Sequence, residues 1–179
     1  TKSKERIERF HKLNAIEKPN EQENIKLDAI SSRLGKKIIE CENLSKAYGE
    51  HLLFHDFSYH LQRNDRIGIL GANGCGKTTL LKILAKEVAP DSGEVVHGDT
   101  VRIGFFKQGY EEMDMSMRVL DYIQESSNAI TTMEGTYTAS QMLERFLFDA
   151  KAQYMPIGRL SGGERRRLYL LKVLMQAPN

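Results

Sequence analysis

The spacing of apolar positions changes along this chain, and it predicts the elements. Ile7, Phe10, Leu13 and Ile16 recur every third residue among charges, one face of a short helix that Pro19-Asn20 ends. Residues 37–44 and 52–61 read as strands, with a turn around Tyr48-Gly49-Glu50. Residues 65–70, with Ile67, Ile69 and Leu70, read as a short apolar strand. After a glycine-rich loop, Leu80, Leu81, Ile83, Leu84 and Val88 form the stripe of a helix over 78–88. Pro90-Asp91-Ser92-Gly93 is a turn, and 94–97 and 101–106 are two further short strands. From Met117 to Leu147 the pattern is helical, through Val119, Leu120 and Ile123 and then Met142, Leu143, Phe146 and Leu147. A last helix starts near Ser161 and carries Leu168, Leu170, Leu171 and Leu174. This mixture of strands and helices predicts the α/β class.

Composition narrows the setting. A chain of 179 residues has room for one domain, and 40% hydrophobic with 28% charged residues is a globular balance. No apolar run reaches the roughly 18 residues that would span a bilayer, and the charged first ten residues are no signal peptide. Cys41 and Cys75 cannot build a disulfide framework or a four-ligand zinc site, so a reducing, cytoplasmic location is expected. The net charge of +2 is too small to announce nucleic acid. It is unevenly spread: residues 1–37 carry ten Lys/Arg against six Asp/Glu, and residues 38–179 carry sixteen against eighteen. The lead segment therefore reads either as a solvated helix with one docking stripe or as a basic linker end that touches nucleic acid. The chain begins without Met and stops after Gln176-Ala177-Pro178-Asn179, and is expected to be a piece of a longer polypeptide.

Gly71-Ala72-Asn73-Gly74-Cys75-Gly76-Lys77-Thr78 fits the phosphate-loop pattern G-x-x-x-x-G-K-[ST], between an apolar segment and a helix. The chemistry needs these residue types. Glycines let the backbone wrap a polyphosphate with its N–H groups inward, and a helix start adds the positive end of its dipole. Lys77 supplies a point charge between terminal phosphates, Thr78 offers a hydroxyl to Mg²⁺, and Thr79 can donate to an inner phosphate. Cys75 fills a variable position and reads as a packing residue, although a helix start can activate a thiol.

The second informative string is Leu160-Ser161-Gly162-Gly163-Glu164. Ser161 with Glu164 three residues on forms a capping box, so the bland reading is a well-capped helix. Two glycines in a first helical turn weaken the helix, however, and suit a backbone that something must approach closely. Arg159, Arg165, Arg166 and Arg167 make the strongest local positive patch. It reads equally as arginine stems laid on apolar neighbours or as a contact for acidic groups such as RNA phosphate.

The phosphate loop, then Gln108 after Phe105-Phe106, then Leu160 to Glu164 occur in an order that resembles the ATP-binding cassette ATPases over residues 37–179. Glu164 followed by Arg165-Arg166-Arg167, and the basic segment in front, resemble the F subfamily, which has no membrane domain and acts on ribosomes or is linked to DNA. The resemblance implies a P-loop NTPase core with an antiparallel β subdomain and a helical subdomain. Residues 1–24 would end a basic linker helix, and 25–179 would be a partial cassette, with the β subdomain and phosphate loop in 37–108 and the helical subdomain and signature in 109–176. Tyr48 would stack on adenine, and Gln108 would reach the metal and the attacking water. Ser161, Gly162, Gly163 and Glu164 would grip the γ-phosphate of ATP held by another cassette, two cassettes closing head to tail over two ATP molecules.

The resemblance also implies an apolar strand ending in Asp-Glu, and then a His, after the signature helix. The 179 residues contain none of these; Phe146-Leu147-Phe148-Asp149 precedes the signature and reads as helix. The expectations are weak ATP binding, little hydrolysis by these residues alone, and an apolar edge uncovered beside the phosphate-loop strand. Two other functions stay open. One is the energy-coupling cassette of a membrane transporter, which Glu164 and the basic lead segment disfavour. The other is a nucleic-acid-binding module in which nucleotide is structural.

Overall fold

The computed structural model describes residues 35, 37–107, 113–132 and 134–179. The expected linker helix and Gln108 lie outside the described residues. The first layer is a three-stranded antiparallel sheet in the order β2-β1-β3, from Ile39–Tyr48 (β1), His51–Leu61 (β2) and Ser92–His97 (β3). β1 and β2 form the expected hairpin, with Tyr48 opposite His51 at its tip. Helix α1, Lys77–Leu84, packs on one face of this sheet. There Cys41, Leu44 and Ile83 are buried beneath Phe54, Phe57, Leu80, Leu84, Val88 and Val95. Of the apolar stripe read along 78–88, Leu80, Ile83, Leu84 and Val88 face the sheet, while Leu81 is exposed.

The second core belongs to the remaining elements: α2 (Val119–Gln124), a hairpin of β4 (Ala129–Thr132) and β5 (Gly135–Thr138), α3 (Ala139–Arg145), α4 (Ala150–Gln153) and α5 (Gly162–Met175). Val119, Ile123, Leu143, Phe146, Phe148, Ile157, Leu168 and Leu171 are its most buried side chains. The hairpin corrects the helical reading of 117–147. Ile130, Thr131, Thr132, Thr136, Tyr137 and Thr138 are β-branched or aromatic, and Gly135 opens β5 at φ 144, paired with Thr132. Phe146–Asp149 is also not helix. Phe146 caps α3, Leu147 takes φ 63, and Asp149 caps α4 by accepting the N–H of Ala152 at 2.7 Å.

Two predicted strands are absent. Residues 65–70 carry no ladder hydrogen bonds, and Leu70 is 95% exposed. An apolar strand needs neighbours on its hydrogen-bonding edges, and none of the described residues pairs with this one. Residues 101–106 also lie outside any sheet, but they are held. The N–H of Asn179 donates to the Arg102 carbonyl at 3.0 Å, the N–H of Arg102 to Asn179 Oδ1 at 2.9 Å, and Phe106 stacks on Tyr169 of α5 with centroids 5.2 Å apart.

Candidate functional site

The phosphate loop runs from Gly71 into α1. Gly76 caps the helix with φ 97 and Gly74 has φ 84, a left-handed backbone that side chains with a Cβ rarely adopt. At Gly76 a Cβ would stand 3.0 Å from the Cβ of Leu53; at Gly74 it would meet nothing within 4 Å. One glycine thus permits packing against β2, and the other keeps the loop's outer side open. Leu53 lies beside Leu52, the partner of Ala47, one pair from the hairpin tip where Tyr48 faces His51. Tyr48 is 56% exposed.

Lys77 folds over the loop. Its ammonium donates to the carbonyls of Gly71 at 2.8 Å and Ala72 at 2.7 Å. Asn73 and Thr78 are exposed, and Thr79 is half-buried on the first turn of α1. The N–H groups of that turn have no intrahelical acceptor and face the helix start. The donor set fits a nucleoside triphosphate: open backbone at Gly74, a helix start at Gly76, one ammonium and two hydroxyls. It also fits Mg²⁺ in a minor way, with the Thr78 hydroxyl as the one described oxygen ligand; a cation there would neutralise phosphate charge.

Cys75 lies inside the loop. Its Sγ is 3.8 Å from the Lys77 ammonium and 2.7 Å from where a Cβ on Gly71 would stand. It is exposed, whereas Cys41 is buried, and burial raises the Cys41 thiol pKa against a hydrogen bond to the Tyr59 carbonyl. A maleimide should therefore label Cys75 first. Labelling is expected to weaken ATP binding by more than about tenfold, the effect of losing one charge-assisted phosphate contact. Equal affinity before and after full labelling, by calorimetry, would contradict this placement.

The signature helix start is built as the capping box requires. Ser161 N–H donates to Glu164 Oε2 at 2.7 Å, and Glu164 N–H donates to Ser161 Oγ at 3.3 Å. Hydrogen bonds from Ser161, then the charge of Arg167, hold the Glu164 carboxyl below its usual range. Ser161, Gly162 and Gly163 are exposed, and a Cβ on Gly163 would meet nothing within 4 Å. The two helix starts belong to different cores, α1 to the sheet and α5 to the helical bundle.

The arginine patch divides. Arg165 Nε donates to the Leu160 carbonyl at 3.0 Å, and the Arg167 guanidinium lies over Phe148 at 5.3 Å. Those two are packing residues. Arg159 and Arg166 remain exposed, Arg166 resting over Phe106 at 5.8 Å. Sequence reasoning missed two features of the site, Leu53 behind Gly76 and an ion pair of Lys46 with Asp91 at 2.6 Å. Both join residues far apart in the chain, and no local pattern marks either.

A phosphate loop on a sheet-backed helix, followed by a separate serine-capped glycine helix start, defines the ATP-binding cassette class. The family model described as ABC transporter matches residues 54–179, and the chain belongs to that family. The chain is 47% identical over 180 residues to "Uncharacterized ABC transporter ATP-binding protein YfmR" of Bacillus subtilis, covering 100% of this chain and 29% of the relative. It is 37% identical over 180 residues to "Energy-dependent translational throttle protein EttA" of Haemophilus influenzae, covering 99% and 32%. It is 37% identical over 149 residues to "ATP-binding protein Uup-like" of the same organism, covering 83% and 32%. The chain spans roughly a third of the length of these relatives. Among solved structures, CbiO1 of Clostridium perfringens, part of an ABC transporter complex, superposes with TM-score 0.58 at 22% identity, covering 80% of this chain and 63% of that one. The ADP conformation of an ABC transporter cassette superposes with TM-score 0.57 at 23% identity, covering 79% and 66%. These structures bear out the P-loop NTPase fold. The sequence relatives bear out the resemblance to the F subfamily.

Proposed function

We propose that this chain is the greater part of one cassette of a cytoplasmic, non-transport ATPase. It binds Mg²⁺–ATP and, in a two-cassette polypeptide, uses hydrolysis to switch its hold on the ribosome or on nucleic acid. The observation that supports this best is the presence of two glycine-bearing helix starts on separate cores, one entered through the exposed loop 71–75 and the other exposed at Ser161, Gly162 and Gly163. One loop cannot surround a triphosphate, so the Ser161 start serves the ATP of a partner cassette. The relative named as a translational throttle favours the ribosome as target. No described helix is long and apolar enough to cross a membrane.

In this reading Gly71 to Gly76 wrap the phosphates, Lys77 and Thr79 hold them, Thr78 meets the cation, and Tyr48 stacks on the base. Gln108 orients water. Ser161, Gly162 and Gly163 receive the γ-phosphate in trans, and Glu164 locks Ser161 in place through the capping box. The residues after α5 include no apolar strand ending in Asp-Glu. The 179 residues alone should therefore turn ATP over slowly, since a positioned base contributes about 10²–10⁴-fold.

Ser161→Asp tests the trans reading in the longest natural polypeptide that contains this chain. Aspartate still caps α5, so the melting temperature should hold. A carboxylate set against a phosphoryl group should lower ATP hydrolysis by about 10²–10³-fold, the effect of losing an oxyanion donor. Hydrolysis within about twofold of the parent would overturn the reading. Ribosome co-sedimentation that differs between ATP and ADP, and loses that difference in Lys77→Ala, would support the switch. Recovery with a membrane-embedded partner would instead favour a transporter cassette.

A further inference from the structure

Lys46 is 13% exposed at its side chain, unusual for a lysine, and only a partner makes this tolerable. The partner is Asp91, whose Oδ1 accepts from the ammonium at 2.6 Å. Asp91 does more than balance charge. Its Oδ2 accepts the Ala47 N–H at 2.8 Å, and its own N–H donates to the Ser45 carbonyl at 2.9 Å. One residue of the turn after α1 thus binds three consecutive residues of β1. It does so where the ladder is irregular: the register shifts between Leu44 and Lys46 and again between Lys46 and Ala47. Shifted pairing leaves the strand end poorly defined by its own ladder, and Asp91 supplies the missing constraint.

Lys46 and Tyr48 are two residues apart on β1 and so point to the same side. The Lys46 ammonium lies 5.5 Å from the centroid of the Tyr48 ring. One ring face is therefore occupied by a fixed cation, while the ring as a whole is 56% exposed. A ring held by a cation and more than half exposed is a platform for a planar base.

We propose that Lys46 and Asp91 are positioning residues for the base platform Tyr48, and that they set the preference of this site for a nucleotide over a bare triphosphate. The proposal rests on the reading that Tyr48 stacks on the base. Lys77 and its loop hold the phosphates; the Lys46–Asp91 pair acts only through the ring.

The test compares Mg²⁺–ATP with Mg²⁺–tripolyphosphate, by competition binding, in the longest natural polypeptide containing this chain. Lys46→Met keeps the stem and removes the charge; Asp91→Asn keeps the shape and removes the ion pair. Each is expected to weaken ATP binding about two- to fivefold, the range of an exposed cation–π contact, and to leave tripolyphosphate affinity unchanged. Lys46→Arg, which can both pair and stack, should restore ATP binding. On a Tyr48→Ala background, Lys46→Met should add nothing. Equal losses for the two ligands, or a loss that persists without the ring, would overturn the positioning role while leaving Tyr48 stacking intact. ATP affinity unaffected by Tyr48→Ala would remove the stacking reading and the proposal with it.

Discussion

Lys77→Ala is expected to weaken Mg²⁺–ATP binding by about 10- to 100-fold, and to remove any nucleotide-dependent change in partner binding. Hydrogen bonds to charged groups contribute about 1.5–3 kcal/mol each, and a phosphate without its cation keeps its desolvation cost. The position of Lys77 makes the upper part of that range the better expectation. Its ammonium is already held above the loop by the Gly71 and Ala72 carbonyls, so little side-chain ordering opposes binding. Calorimetric titration of the variant, with circular dichroism to show an unchanged fold, measures the effect. The lysine is half-buried and, among the described residues, its hydrogen bonds all go to the loop itself, so the fold should survive. Affinity within about threefold of the parent would separate this loop from phosphate binding.

Phe146→Ala should cost about 3–5 kcal/mol of stability, the usual range for removing a buried phenylalanine. Phe146 is fully buried, in one core with Leu143, Phe148, Ile157, Leu168 and Leu171. It also caps α3, where the chain turns through Leu147 at φ 63 into α4, so collapse around the lost ring is constrained. Domains of this size are stable by only about 5–15 kcal/mol. The variant should therefore lose the helical core that presents Ser161 near physiological temperature, and hydrolysis with it. Leu81→Ala is the control, since Leu81 is exposed on α1 and should change stability by under about 0.5 kcal/mol. Urea midpoints of the two variants give the comparison, and a cost below about 1.5 kcal/mol for Phe146→Ala would show that this core repacks.

The parts of the site that could be read in advance are those whose causes are short-ranged. Gly74 and Gly76 take the left-handed backbone their residue type allows, and Ser161 with Glu164 close the capping box their spacing announces. The β1–β2 hairpin follows its turn residues. The hairpin over 129–138 was legible too, in its threonines and Gly135, but helical spacing on both sides hid it. Residues 65–70 and 101–106 have the composition of strands without their structure, because a strand is completed by another part of the chain. Arg165 and Arg167 read equally as packing stems or as an anion contact, and the structure packs them, a distinction made by Met115 and Phe148, far from them in sequence.

By itself the sequence determined the local geometry of the site: which glycines bend the loop backbone, which lysine opens the first helix, and which serine caps the second. These depend on dihedral preference and on partners within four residues. The tertiary structure alone decided that Leu53 backs Gly76, that Asp91 grips three residues of β1 and holds Lys46 under Tyr48, and that the two helix starts stand on separate cores. Those contacts join residues tens of positions apart, where only the packing of whole elements brings side chains within reach.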